Sequence, residues 1–188
     1  TSTPEPTPTP TGSSASVVPA PESDWPTYHH DNARTGVATG LTPVGKLSRA
    51  SETKLDGAVY GQPLVVGDLV FAATEGDSIY ALRAATGAVV WSVHLGTPMP
   101  LSDLPCGNID PLGITSTMVY DKETGLVFAL AEMNGGRHVL FGVDASTGAV
   151  RLRRAAEPPS GDRVAHQQRS ALSVLDGRVY IAYGGLFG

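Results

Sequence analysis

The residues best suited to chemistry sit in four short stretches of this chain. In LGTPMPLSDLPCGNIDPLG (95–113), Cys106, Asn108 and Asp110 fall close together. Asn108 and Asp110 carry the oxygen ligands that calcium takes, but two ligands fall far short of the roughly six to eight it needs. The same residue types hold loop turns through side-chain-to-backbone hydrogen bonds, and that role is the expectation here. His29-His30-Asp31 offers metal-ligating types. Adjacent residues on an extended chain point in opposite directions, so they are expected to form a polar cap and not a metal site. His166-Gln167-Gln168-Arg169 precedes an apolar run. Arg169 has the planar fork that grips a carboxylate, a fork that pairs equally well with a nearby loop acid. Gln62 enters an earlier apolar run at the matching place. No GxSxG, no Walker loop and no recognisable carboxylate pair occurs, so no catalytic residue and no metal site is assigned.

Cys106 is the sole cysteine in 188 residues. Two readings stay open: a small buried thiol, or half of a disulfide whose partner lies outside these residues, as would fit an exported protein.

The elements that must position these groups are read from composition and periodicity. A net charge of −5 with no basic cluster argues against nucleic acid. No apolar run is long enough to cross a membrane as a helix, and no export leader is present within the chain as given. With 22 glycines and 15 prolines, the chain carries more punctuation than a helical protein tolerates. Residues 1–22, TSTPEPTPTPTGSSASVVPAPE, have almost nothing to bury and are expected to be a disordered, semi-rigid spacer leading from an anchor upstream of Thr1.

From about residue 46 the pattern is strand and turn. In GQPLVVGDLVFAATEGDSIYALRAATGAVVWSVHL, turns at Gly67-Asp68, Glu75-Gly76-Asp77 and Thr86-Gly87 separate four short strands. The pattern recurs, giving repeat units over about 58–95, 113–154 and 171–188. Phe71, Phe128 and Tyr180 align on the second strands, and Gly87 aligns with Gly148. Leu69–Ala73, Leu126–Ala131 and Val179–Ala182 are apolar at consecutive positions, so both faces of those strands are expected to be covered. The last strands alternate: Val89, Trp91 and Val93 should face inward, as should Val150 and Leu152, with Arg151 and Arg153 outward.

These residues resemble the pyrroloquinoline-quinone-like (PQQ-like) repeat propellers. ALRAATGAVVW (81–91) is similar to that family's repeat signature, and GVDASTGAVRL (142–152) is a second copy. Arg83 replaces the signature aspartate that Asp144 keeps, and Leu152 replaces the tryptophan that Trp91 keeps. DWPTYHHDNARTGV (24–37) resembles the segment with which such propellers open. The resemblance implies an all-β fold, a β-propeller of four-stranded antiparallel blades, of which this chain holds about two and a half. Trp91 would then pack between blades, with Gly87, Asp144 and Gly148 shaping the turns. Lys46–Leu55 would be an outer strand closing the ring, and Gln62, Gln168 and Arg169 would reach the central channel.

For function, the family includes dehydrogenases, an outer-membrane assembly lipoprotein and kinase sensor domains. The expectation is a non-catalytic scaffold, extracytoplasmic and monomeric when full length, binding a protein or peptide at the cell envelope. The alternatives are a fragment of a PQQ-dependent dehydrogenase, the one reading in which PQQ and calcium would be cofactors, or the sensor domain of a membrane kinase. The dehydrogenase reading would make Gln62, Asn108, Asp110, Gln168 and Arg169 cofactor-binding candidates. The resemblance also places the 95–113 loop and the segment after Tyr183 at one face, so a cysteine just beyond Gly188 would be placed to pair with Cys106.

Overall fold

A computed structural model describes residues 24–40 and 45–185. The spacer 1–22 and Gly188, and with it the test of a disulfide near Gly188, lie outside the described residues. Two antiparallel meanders follow one another. The first contains β1 (Leu64–Val66), β2 (Leu69–Ala73), β3 (Ser78–Arg83) and β4 (Val89–His94). The second contains β5 (Val119–Asp121), β6 (Leu126–Met133), β7 (Arg137–Asp144) and β8 (Val150–Ala155). A third unit follows, in which β9 (His166–Gln167) pairs with β12 (Gly184–Gly185), and β10 (Ser173–Leu175) pairs with β11 (Arg178–Tyr180). The two meanders are four-stranded blades of an all-β propeller, incomplete in this chain, and the third unit forms two two-stranded sheets among the described residues.

The turn residues explain the hairpins. Gly67 takes φ 59° at the first central position of the β1–β2 turn, while Asp176 and Gly177 take φ 50° and 68° between β10 and β11. Such primed geometries match the twist of paired strands. The registers Leu64↔Phe71, Val119↔Phe128 and Ser173↔Tyr180 put the three aromatic residues at equivalent positions of successive units.

Blade two is covered on both faces, which accounts for the unbroken apolar run of β6. Val127, Ala129, Ala131 and Met133 share a core with Leu64, Phe71, Ile79 and Ala81 of blade one. Phe128 and Leu130 pack the other way, against Leu172, Val174, Val179 and Ile181 of the third unit. Burying each large side chain in this way contributes about 1.5–3 kcal/mol. The third unit departs from expectation. Val179 and Ile181 face blade two, but Tyr180 stays 48% exposed and Ala182 is exposed, because none of the described residues covers their other side.

A second departure lies in the outer strands. Leu82 pairs with Val89 but Ala81 pairs with Trp91, so Val90 is an extra residue. Directly opposed residues share a face, and the bulge therefore turns Val89 away from the side of Trp91 and Val93. The same slip at Arg151, between Val143↔Val150 and Gly142↔Leu152, separates Val150 from Leu152. Val89 and Val150 are consequently exposed, at 48% and 44%. Lys46–Leu55 enters no sheet among the described residues. It runs past the β3–β4 turn, where the Thr53 hydroxyl donates to the Gly87 carbonyl at 2.5 Å.

The opening segment crosses the inner edges of all three units. Trp25 exchanges backbone bonds with Val65 of β1 at 2.6 and 3.1 Å, and Tyr120 of β5 donates to the Pro26 carbonyl at 2.8 Å. The Asn32 side chain then reaches the Val174 carbonyl of β10 at 2.9 Å. The free inner edges, which would otherwise invite foreign strands, are thus stitched together.

Candidate functional site

In a meander, successive turns alternate between the two ends of the strands. The short turns at Gly67, Gly87, Gly148 and Gly177 lie at one end. The 95–113 loop, the 156–171 connection and the turns after β2 and β6 lie at the other, the crossover end.

At the crossover end the residues preceding each inner strand converge. Extending the β1, β5 and β10 registers backwards makes Tyr60, Thr115 and Arg169 equivalent, and likewise Gln62, Thr117 and Ala171. All six line one open cavity of about 560 Å³, whose remaining lining includes Tyr28 and Arg34 of the opening segment. Three units therefore each lend the same short stretch to one wall. Tyr60 is 53% and Tyr28 39% exposed.

The two arginines of the cavity differ. Arg34 is a strut: one terminal nitrogen donates to Thr27 Oγ1 and the Tyr28 carbonyl at 2.8 and 2.7 Å. The other donates to the Leu172 carbonyl at 3.2 Å and to Ser173 Oγ. All four acceptors are neutral. Arg169 is exposed and makes no hydrogen bond or ion pair among the described residues. No loop acid bonds it there, although the buried Glu75 lies near enough to feel its charge.

Of the other sequence candidates, Gln62 is in the wall, and its backbone N–H donates to Thr117 Oγ1 at 2.9 Å. Its counterpart is Ala171, not Gln168. Gln168 is 1% exposed and is not in the wall; its Nε2 donates to the Ser170 and Ala182 carbonyls at 2.5 and 3.4 Å. Asp110 Oδ1 accepts from the Leu101 N–H at 3.1 Å and holds the 95–113 loop, whose Met99, Ile109 and Leu112 form their own small core. Asn108 is exposed in that loop. Neither joins the axial cavity. Cys106 is exposed, which corrects the buried-thiol reading. His29 stacks on Tyr28 with ring centroids 4.0 Å apart, and His30 leans on Trp25 at 5.0 Å.

Sequence reasoning missed a set of buried acids behind the cavity. Glu75 and Glu132 occupy equivalent positions at the ends of β2 and β6. The Glu75 N–H donates to the Ala58 carbonyl at 2.9 Å and the Glu132 N–H to the Gly113 carbonyl at 3.1 Å. Each carboxylate then reaches across to the next crossover. Glu75 Oε2 accepts from the Gly113 N–H at 2.6 Å and from Thr115 Oγ1 at 3.1 Å, and Glu132 Oε1 accepts from the Gln168 N–H at 2.6 Å. A Cβ on Gly113 would come within 2.4 Å of the Glu75 carbonyl oxygen, so only glycine permits this approach. Asp77 is fully buried with neither carboxyl oxygen bonded. Burial, aided by the charges of Glu75, Glu132 and Asp56, pushes its carboxyl up to about 8. Burial likewise pushes Glu132 to about 8, against the Gln168 bond, and raises Glu75. The recurrence of glutamate four residues beyond the aligned phenylalanine in the first two units, Glu75 after Phe71 and Glu132 after Phe128, was a signal available in the sequence.

At the opposite end the repeat signature is laid out in contacts. The Trp91 Nε1–H donates to the Ala145 carbonyl of blade two at 3.0 Å, and its ring lies against Gly148, where φ is 76° and a Cβ would meet ring carbon at 2.8 Å. Asp144 Oδ1 accepts from the Ser146 hydroxyl at 2.7 Å, which does most to hold its carboxyl below the usual range, and from the Ser146 and Thr147 N–H groups at 3.0 and 3.1 Å. Arg83, in the same place in blade one, instead pairs with Asp68, and the turn closes through the Gly87 N–H to the Arg83 carbonyl at 2.7 Å.

Calcium beside a quinone needs several oxygen ligands, normally with carboxylates among them. No carboxylate lines the axial cavity, Glu75 is committed behind it, and no cluster of three acidic, histidine or cysteine side chains able to hold a metal occurs among the described residues. The residues present do not fit that group.

The chain is similar to known proteins in this same architecture. A crystal structure of BamB from Moraxella catarrhalis matches with TM-score 0.51 and 20% identity, over 71% of this chain and 37% of that one. A quinohemoprotein alcohol dehydrogenase, ADHIIG, from Pseudomonas putida HK5 matches with TM-score 0.61 and 19% identity, over 87% of this chain and 23% of that one. The chain thus spans well under half the length of either. No curated protein matches it. The family model described as "Outer membrane protein assembly factor BamB" matches residues 50–185, and the chain belongs to that family of PQQ-type propellers.

Proposed function

We propose that this propeller is a non-catalytic binding scaffold of an extracytoplasmic, cell-envelope protein, holding a protein or peptide segment in its axial cavity. The observation that carries the reading is the make-up of the wall. Two half-exposed tyrosines and two arginines, the residue types enriched at protein-binding hot spots, converge from the first and third units and the opening segment. Family membership supports a role in the envelope, and the Pro/Thr/Ser-rich spacer would hold the domain clear of an upstream anchor.

The test uses the full-length protein with a photo-reactive residue in place of Tyr60 or, as control, of Val150 on the outer strand, expressed in its own cells. Cross-linking to a defined protein from position 60 and not from 150 is the expected result. The same protein incubated with PQQ, calcium, an alcohol and a dye acceptor should show no turnover. Redox turnover under those conditions would replace the scaffold with the dehydrogenase reading.

A further inference from the structure

The chain as a whole is acidic, with a net charge of −5, yet its axial cavity is lined by two guanidinium groups and by no carboxylate. Arg34 has spent its four terminal N–H donors on neutral acceptors, so it contributes charge but no terminal fork to a ligand. Arg169 is the reverse, an exposed fork with no bonded partner among the described residues. The acid whose charge it feels, Glu75, is 2% exposed and already holds Gly113 and Thr115 behind the wall. The same cavity also presents hydroxyls with a proton to donate. Tyr60 makes no hydrogen bond among the described residues, and Thr117 Oγ1 accepts from Gln62 at 2.9 Å, which leaves its proton to donate.

We propose that the cavity selects a carboxylate-bearing peptide segment, with Arg169 taking the carboxylate; this rests on the reading of the cavity as a peptide site. A guanidinium presents parallel N–H donors that match the two oxygens of a carboxylate. Recognition of phosphorylated segments uses clusters of available cations, whereas only one free fork is present here. Tyr60 gives the apolar parts of an extended segment a ring face to lie on, while the Tyr28 ring is already stacked on His29 with the Arg34 guanidinium over it. The background charge of Arg34 favours the anion at any position along the cavity.

The probe is a fluorescein-labelled peptide of alternating glutamate and serine, compared by anisotropy with its glutamine–serine counterpart on the full-length protein. The glutamate peptide should bind about tenfold or more tightly, with an affinity that falls as salt is raised. Arg169→Gln should abolish the preference and Arg169→Lys keep part of it. Arg151→Gln, on an outer strand, should leave binding unchanged. If Arg169→Gln does not fold by circular dichroism, the lysine variant and the salt dependence of the natural protein carry the test. Equal binding of the two peptides, both weakened by Tyr60→Ala, would overturn the carboxylate selectivity and leave the peptide site standing. Binding of neither peptide, or displacement of both by PQQ with calcium, would overturn both.

Discussion

The two ends of the blades are built on opposite principles. At the short-turn end the polar groups of the repeat signature are met: Asp144 by the turn it starts, Arg83 by Asp68, the Trp91 N–H by the Ala145 carbonyl of the next blade. At the crossover end, acids are buried and only partly met. Asp77 has no bond to either carboxyl oxygen, Glu75 leaves Oε1 unbonded, and Arg169 stands exposed beside them. Leaving a buried polar group unpaired costs about 1–3 kcal/mol. The short-turn end thus stabilises the stacking of blades, while the crossover end spends stability on a polar cavity. Unpaired polar groups concentrated at one end are what a binding surface requires and a structural joint avoids.

The largest effect that would break this comparison is expected at Trp91. Trp91→Ala removes a ring packed on Gly148 together with the bond to Ala145, and should destabilise the protein by about 3 kcal/mol in denaturant unfolding. A loss under about 1 kcal/mol would mean that the short-turn end does not hold the blades together.

Asp77 sharpens the other half. Burial holds its carboxyl up at about 8 in the folded protein against an ordinary 3.8, and that of Glu132 at about 8 against 4.5. Between those values the folded state binds more protons than the unfolded chain. Their contribution is therefore full in acid and is lost as pH rises through about 8. Stability should decline from about pH 5 to 8, and Asp77→Asn should flatten that decline and add about 1–3 kcal/mol at pH 7.5. Asparagine also tolerates the φ of 55° found at Asp77. Thermal melts across pH would show it, and an unchanged profile would mean that Asp77 is ionised and satisfied.

How much of this was legible beforehand divides along the same line. Local rules fixed the hairpins at Gly67-Asp68 and Asp176-Gly177, the equivalence of Phe71, Phe128 and Tyr180, and the double-faced burial of β6, since each depends on neighbours in sequence or on hydrophobic pattern. The bulges at Val90 and Arg151 were not legible, because an alternating pattern gives no sign of one inserted residue. Gln168 was placed in the channel and Gln62 matched to it because the register before an inner strand depends on crossovers of unequal length. The opening segment's path across three inner edges, and Arg34 as its strut, are long-range facts with no local signature. Arg169 was singled out by type, and only its lack of a partner among the described residues gives that choice meaning.

The central claim is that three equivalent stretches and the opening segment form one binding site, and hydroxyl-radical footprinting of the full-length protein tests it most directly. Tyr28 and Tyr60 are exposed in the cavity, and Leu175, 48% exposed at the short-turn end, serves as the reference. On adding the glutamate–serine peptide, oxidation of Tyr28 and Tyr60 should fall together while that of Leu175 stays constant. Protection of Leu175, or of neither tyrosine with peptide demonstrably bound, would place binding elsewhere and contradict the account.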